Sequence, residues 1–199
     1  MDIIDDASAA IGHVQEYGLG GLTKYNDLGE KYLRLYGLLS ATYIQQQSIG
    51  TIYRIMNLSD PKRLKAAFET LEIRDLRHKL SSHGTDFLDF ATSTRQAFVP
   101  LRLNLSDGLS VTYVNYTSSS THHHVDLAAA IDGHVTMMID VMDSIIEKSM
   151  TTIFEENSKL RADVASEFGD LRIEKANGLV SKTNGGLKLI VTFVGTKPE

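Results

Sequence analysis

The chain has 199 residues, 42% apolar and 23% charged, which suits one globular domain large enough to bury a core. It contains no cysteine, so disulfides, thiolate metal sites and cysteine nucleophiles are excluded. A net charge of −5 argues against a protein that coats nucleic acid through broad electrostatics, and no run of about 18 apolar residues is present to cross a membrane.

In chain order, Met1-Asp2-Ile3-Ile4-Asp5-Asp6 is acidic where a secretory leader is basic, so a cytoplasmic location is expected. Residues 2–17 read as an amphipathic helix with Ile3, Ile4, Ala7, Ile11 and Val14 on one side. Gly18-Leu19-Gly20-Gly21 ends it. With no preceding strand and no Lys-Ser/Thr pair after it, this cluster reads as a flexible hinge and not as a phosphate cradle. Thr23 is the expected cap of a long helix reaching about Asn57. Tyr25, Tyr32, Tyr36 and Tyr43 share one stripe of it, as a core or subunit seam in preference to a base-stacking surface.

Ser59-Asp60-Pro61 is a helix start, and residues 61–83 read as one or two helices. Their apolar face is Leu64, Ala67, Phe68, Leu71, Leu76 and Leu80, and Gly84 is the stop. Leu101, Leu103 and Leu105 alternate with polar residues, as do Leu109, Val111 and Tyr113, with Ser106-Asp107-Gly108 between them; this predicts a β-hairpin. Residues 117–122 read as a polar loop, and His122-His123-His124 as a solvated loop and not a metal site, which would need further ligands such as Asp126 or His134. A second long helix is expected over roughly 125–165, with Ile131, Val135, Met138, Met142 and Ile145 as a heptad seam of packing residues. Asn177-Gly178 and Asn184-Gly185-Gly186 suggest a small C-terminal hairpin. The expected fold is therefore mainly α: a bundle of about four helices over residues 1–170, two of them long, with a hairpin inserted at 98–116 and a small β appendage at 171–199.

The segment Arg77-His78-Lys79-Leu80-Ser81-Ser82-His83 is the best candidate for chemistry. It resembles the signature of the HEPN family: an arginine, a polar residue, a short spacer and a histidine, at the end of a capped helix. The detailed likeness covers about residues 61–84. Active members of that family are metal-independent ribonucleases in which the RNA 2′-hydroxyl attacks the adjacent phosphate. The resemblance implies the same here, with Arg77 on the phosphate, His83 as acid–base and His78 as orienting group or second donor. Histidine titrates near neutrality and the arginine fork pairs two phosphate oxygens, so both residue types suit the roles. No metal and no cofactor is implied. The family also implies RNA as substrate, a homodimer, a place in defence or toxin–antitoxin systems, and an inhibitory protein partner.

Positions 77 and 83 lie about 240° apart on an ideal helix. The helix must therefore fray at Ser81-Ser82, or two chains must build the site together. Lys62, Arg63, Lys65, Arg74 and Lys79 are candidate RNA contacts, or else a solvated face balanced by Asp60, Glu69, Glu72 and Asp75. The competing reading is a non-catalytic dimeric helical adaptor that docks a partner on the tyrosine stripe or the methionine seam.

Overall fold

The computed structural model describes residues 2–22, 27–82, 86–89, 93–105, 107–117, 121–156 and 158–176. Among these the protein is mainly helical, with six α-helices and two small antiparallel sheets. None of these helices is long and apolar enough to cross a membrane. The expected Thr23 cap, Tyr25, His83, Gly84 and the C-terminal turns lie outside the described residues.

Helix α1 (Asp2–Tyr17) buries Ile4, Ala7, Ile11 and Val14, whereas Ile3 stays 60% exposed. The expected hinge after it is instead a docked joint. Gly18 and Gly21 take positive φ, Leu19 N–H donates to the Gly108 carbonyl at 3.2 Å, and Gly20 N–H donates to Asp107 O at 2.9 Å. Arg34 grips the same backbone from α2 through the Leu19 and Gly20 carbonyls, at 3.0 and 2.8 Å. Close backbone approach, not flexibility, is what these glycines provide.

Helix α2 (Leu28–Ile55) is capped by Asp27, whose carboxylate accepts the Gly29 N–H at 2.9 Å. Its buried face is Leu35, Leu38, Leu39, Ala41, Thr42, Gln45, Gln46 and Ile49. The tyrosines flank this face. Tyr32 and Tyr43 are half-buried, Tyr36 is exposed, and the rings of Tyr32 and Tyr36 stack 5.8 Å apart. Helix α3 (Pro61–Glu69) starts as expected, with Asp60 accepting the Arg63 N–H at 3.0 Å. The chain breaks at Thr70-Leu71, continues as the short α4 (Glu72–Leu76), and widens into a π-helical turn over Arg77–Ser82. Ile73, Leu76 and Leu80 are all buried, so this stretch is anchored on its inner side.

The β region differs from the expected hairpin. A short ribbon, β1 (Phe87–Asp89) with β2 (Thr94–Gln96), precedes a three-stranded sheet of β3 (Phe98–Pro100), β4 (Ser110–Asn115) and β5 (Thr121–Asp126) in that spatial order. The partner of β4 on one side is thus Phe98–Pro100, with Phe98 opposite Asn115 and Pro100 opposite Tyr113. Residues 102–104 of the expected leucine strand form a 3₁₀ turn, leaving Leu103 fully exposed. The physical reason is the ring packing: Phe98 meets Tyr113 edge-on at 5.7 Å and Phe87 at 5.3 Å, which seats the strand three residues earlier. On the other side His122-His123-His124 is not a loop but edge strand β5, because residues 111–115 of β4 are buried and need a covering neighbour.

Helix α5 (Leu127–Ile153) is capped by Asp126 and ends twelve residues short of the expectation, where Phe154 turns extended; α6 (Lys159–Ala176) follows separately. Helix α6 runs through the expected boundary at 170, so residues 171–176 are helical and not β. The heptad seam holds as core: Ile131, Val135, Met138 and Ile145 are buried and Met142 half-buried. The larger core lies among α1, α2, α4, the sheet and the start of α5; a smaller one joins Ile4, Ile49, Phe68, Met138, Val141 and Ile145.

A Cβ at Gly18 would collide with the Asp107 carbonyl, at a φ of 65° that L-residues avoid. Gly18→Ala is expected to cost about 2 kcal/mol of stability, read from chemical denaturation; an unchanged midpoint would show that the joint is loose.

Candidate functional site

The turn Arg77–Ser82 sits against the middle of α2, at Tyr43, and against β3, at Phe98. Its inner residue Leu80 is fixed in the core, so the widened turn leaves Arg77, His78 and Lys79 half-buried at the surface. Single π-helical turns of this kind recur at functional sites because they re-aim side chains without breaking the helix.

Two arginines meet one tyrosine here. The Arg77 Cζ lies 3.6 Å from the centroid of the Tyr43 ring, and Arg74 Cζ lies 4.5 Å from it. Their remaining contacts separate them. Arg74, only 7% exposed, forms a two-pronged pair with Glu69, Nη2 to Oε1 at 2.8 Å and Nε to Oε2 at 3.3 Å. It also donates to Gln46 Oε1 at 3.2 Å. Arg77 sits over the ring, and among the described residues no hydrogen bond or ion pair engages its N–H groups. Partial desolvation lowers its pKa, against the raising influence of Tyr43; Arg74 lowers it further and Glu69 raises it. The group remains a cation at any physiological pH.

His78 Nε2 lies 3.5 Å from Glu69 Oε2, so one carboxylate faces both Arg74 and His78. Lys79 turns the other way. It pairs with Asp75 at 2.6 Å and stands over the rings of Phe98 and Tyr113, at 5.4 and 5.8 Å. Burial alone would lower the Lys79 pKa, but the Asp75 hydrogen bond and charge, with Tyr113, outweigh it and raise the value. Lys62, Arg63 and Lys65 are exposed on α3. The structure thus brings Arg74, Arg77 and His78 together at Tyr43, sets Lys79 on the sheet side, and leaves the three α3 cations on a separate helix.

Behind Arg74 runs a buried polar chain that the sequence reading did not anticipate. Gln46 accepts from Arg74 through Oε1, and its Nε2 lies 3.3 Å from His134 Nδ1. His134 Nε2 lies 2.7 Å from Gln45 Oε1, and Gln45 Nε2 donates to Ser8 Oγ at 2.9 Å. The amide directions assign the neutral tautomer with hydrogen on Nε2. His134 is fully buried, and burial pushes its pKa down to about 4. The available signals were the adjacent glutamines on a buried helix face and a histidine inside a heptad seam.

Among the described residues no group of three or more His, Asp or Glu side chains is arranged to hold a metal ion. His123 stacks on Tyr113 with ring centroids 5.0 Å apart, His124 Nδ1 lies 3.1 Å from Thr112 Oγ1, and Asp126 caps α5. Comparison with family models, with curated proteins and with solved structures finds no match for this chain.

In the unfolded chain His134 takes up a proton near its ordinary pKa of about 6.5; in the folded protein it does so only near pH 4. Between those values the unfolded state binds more protons, so stability is complete above the window and is lost as the pH falls through it. The protein is expected to lose about 2 kcal/mol between pH 7.5 and pH 5 from this group. Denaturant melts of wild type and His134→Gln test it: the variant should lack this slope, and identical slopes would remove His134 as the cause.

Proposed function

We propose that the chain is a metal-independent endoribonuclease of HEPN type, with Arg77 as the phosphate-binding cation, His83 as the acid–base group and His78 as the orienting or second donor. The observation that supports this reading most is the state of Arg77. Its guanidinium carbon lies over the Tyr43 ring and, among the described residues, no hydrogen bond or ion pair engages its N–H groups, while the neighbouring Arg74 takes up Glu69. A partly desolvated guanidinium without a carboxylate partner is suited to an anion, and its planar fork matches two oxygens of a phosphodiester.

In the proposed reaction the RNA 2′-hydroxyl loses its proton to a histidine and its oxygen attacks the adjacent phosphorus. The P–O bond to the 5′-oxygen breaks, and that oxygen is protonated as it leaves, giving a 2′,3′-cyclic phosphate and a free 5′-hydroxyl. Arg77 neutralises the charge that accumulates on the non-bridging oxygens. RNA is the proposed substrate, and the family likeness adds an inhibitory protein partner within a defence or toxin–antitoxin setting.

The same reading includes a second copy of the chain, paired through the outer side of α2. Leu33, Tyr36, Gly37, Ser40 and Ile44 are exposed there and carry no charge over about 16 Å of helix. A twofold axis between Gly37 and Ser40 sets Leu33 of each copy against Ile44 of the other, with the small residues allowing close approach at the centre. Tyr43, and Arg77 on it, border this face.

Purified protein incubated with single-stranded RNA in EDTA is expected to yield cyclic-phosphate ends. Arg77→Ala should lower the rate by about 10²–10³-fold and His83→Ala by about 10²–10⁴-fold. Cleavage that survives both substitutions would discard the site, and cleavage abolished by EDTA would discard the metal-free mechanism. For the pairing, Leu33→Asp with Ile44→Asp should convert a dimer to a monomer in light scattering; a wild-type monomer at tens of micromolar contradicts it.

A further inference from the structure

A cleft of about 240 Å³ lies between the C-terminal half of α2 and α3. Its floor is apolar. Phe68 is 5% exposed, and a Cβ at Gly50 would lie in van der Waals contact with its ring at 3.7 Å, so the bare glycine leaves the space of a methyl group beside that ring. Leu64 and Pro61 extend the floor along α3.

Two cations line it, one from each helix. Arg54 on α2 is steadied by its own helix: Nε donates to the Gly50 carbonyl at 3.3 Å and one terminal nitrogen to Thr51 Oγ1 at 3.1 Å. That leaves Nη1 open. Lys65 on α3 is exposed, and among the described residues no carboxylate pairs with it or with Arg54. The acidic residues of the segment 54–71 are engaged elsewhere, Asp60 as the α3 cap and Glu69 on Arg74. Lys62 and Arg63 add further positive charge on α3, so a chain of net charge −5 gathers four cations within residues 54–65. Gln47 offers an exposed amide at the mouth.

Each feature narrows the ligand. Two cations without a carboxylate partner among the described residues match a dianion, such as a phosphomonoester, better than a single carboxylate. The apolar floor of Phe68, Leu64 and Pro61 suits a ring, and the Gln47 amide suits polar atoms on the ring edge. The volume falls below the roughly 300–1,000 Å³ of pockets for drug-sized ligands, which admits one ring and its ester and not a dinucleotide. We propose that this cleft binds a phosphomonoester carried on a planar ring, about the size of a nucleoside monophosphate, with the ring on Phe68 and Gly50 and the phosphate between Arg54 and Lys65. The ligand is a free small molecule or the 5′-phosphorylated end of an RNA strand, which share this chemistry. The inference does not rest on cleavage at Arg77.

Calorimetric titration of the full chain with adenosine 5′-monophosphate, phenyl phosphate, adenosine and inorganic phosphate tests it. The two ring-bearing esters should bind saturably, and adenosine and inorganic phosphate at least about tenfold more weakly. Arg54→Gln and Lys65→Gln, both at exposed positions and so expected to leave the melting temperature unchanged, should each weaken the monophosphate about tenfold. Competition by a 5′-phosphorylated single-stranded RNA, and not by its 5′-hydroxyl counterpart, would assign the strand end; monophosphate binding without such competition would assign the free small molecule. No saturable binding of either ester, or equal binding in the folded double variant, overturns the proposal.

Discussion

A neutral imidazole in the middle of a helical core has two ring nitrogens that both require partners, because an unsatisfied buried polar group costs on the order of 1–3 kcal/mol. At His134 both partners come from consecutive residues of α2, Gln45 and Gln46. Consecutive helical positions diverge by about 100°, so the ring is gripped from two directions. This constrains the rotation of α2 about its axis and its register against α5 more tightly than aliphatic contacts alone, which tolerate sliding by a rotamer. Ser8 extends the same constraint to α1.

The constraint reaches the surface through Arg74. Gln46 has one oxygen left after serving His134, and Arg74 claims it. A guanidinium that is 7% exposed also needs a counter-charge, and Glu69 supplies it from across the break at Thr70-Leu71. With Glu69 taken up in this way, Arg77 has the Tyr43 ring and, among the described residues, no carboxylate that pairs with it. The two arginines are three residues apart and share one ring, yet one is a structural cation turned inward and the other is open outward. The difference originates in where the polar chain from the core runs out of partners.

How much of this was legible in the sequence varies with the kind of signal. Caps and helical period located α1 and the start of α3, since Asp60-Pro61 and the Ile4-Ala7-Ile11-Val14 spacing act locally. The start of α2 was placed too early because Thr23 and Asp27 can both cap a helix; Asp27, the stronger cap, is the one used. Leu101, Leu103 and Leu105 mimic a strand, but the strand is decided by rings distant in sequence, Phe87 and Tyr113 against Phe98. His122-His123-His124 looks like a loop by polarity; it is a strand because β4 needs an edge neighbour. At the site, the proximity of Arg77 and His78 was evident from adjacency alone. The separate fates of Arg74 and Arg77 were not, because they depend on Glu69, Gln46 and Tyr43, each contributed by another helix.

Helix α2 therefore works as a rail whose sides carry different chemistry. Leu35, Leu38, Leu39 and Ile49 face the core, Gln45 and Gln46 hold the imidazole, Tyr43 carries Arg77, and Gly50 with Arg54 shapes the cleft against α3. A helix that is apolar or amide-bearing around most of its circumference would be a poor solvent-facing element by itself. It is tolerable here because α1, α4, α5 and the Arg77 turn pack against it over most of its length. The positions of Arg77 and of the Arg54–Lys65 cleft are thus set by a single rigid body, and a change that rotated α2 by even part of a turn would move both together while leaving the local sequence of each untouched.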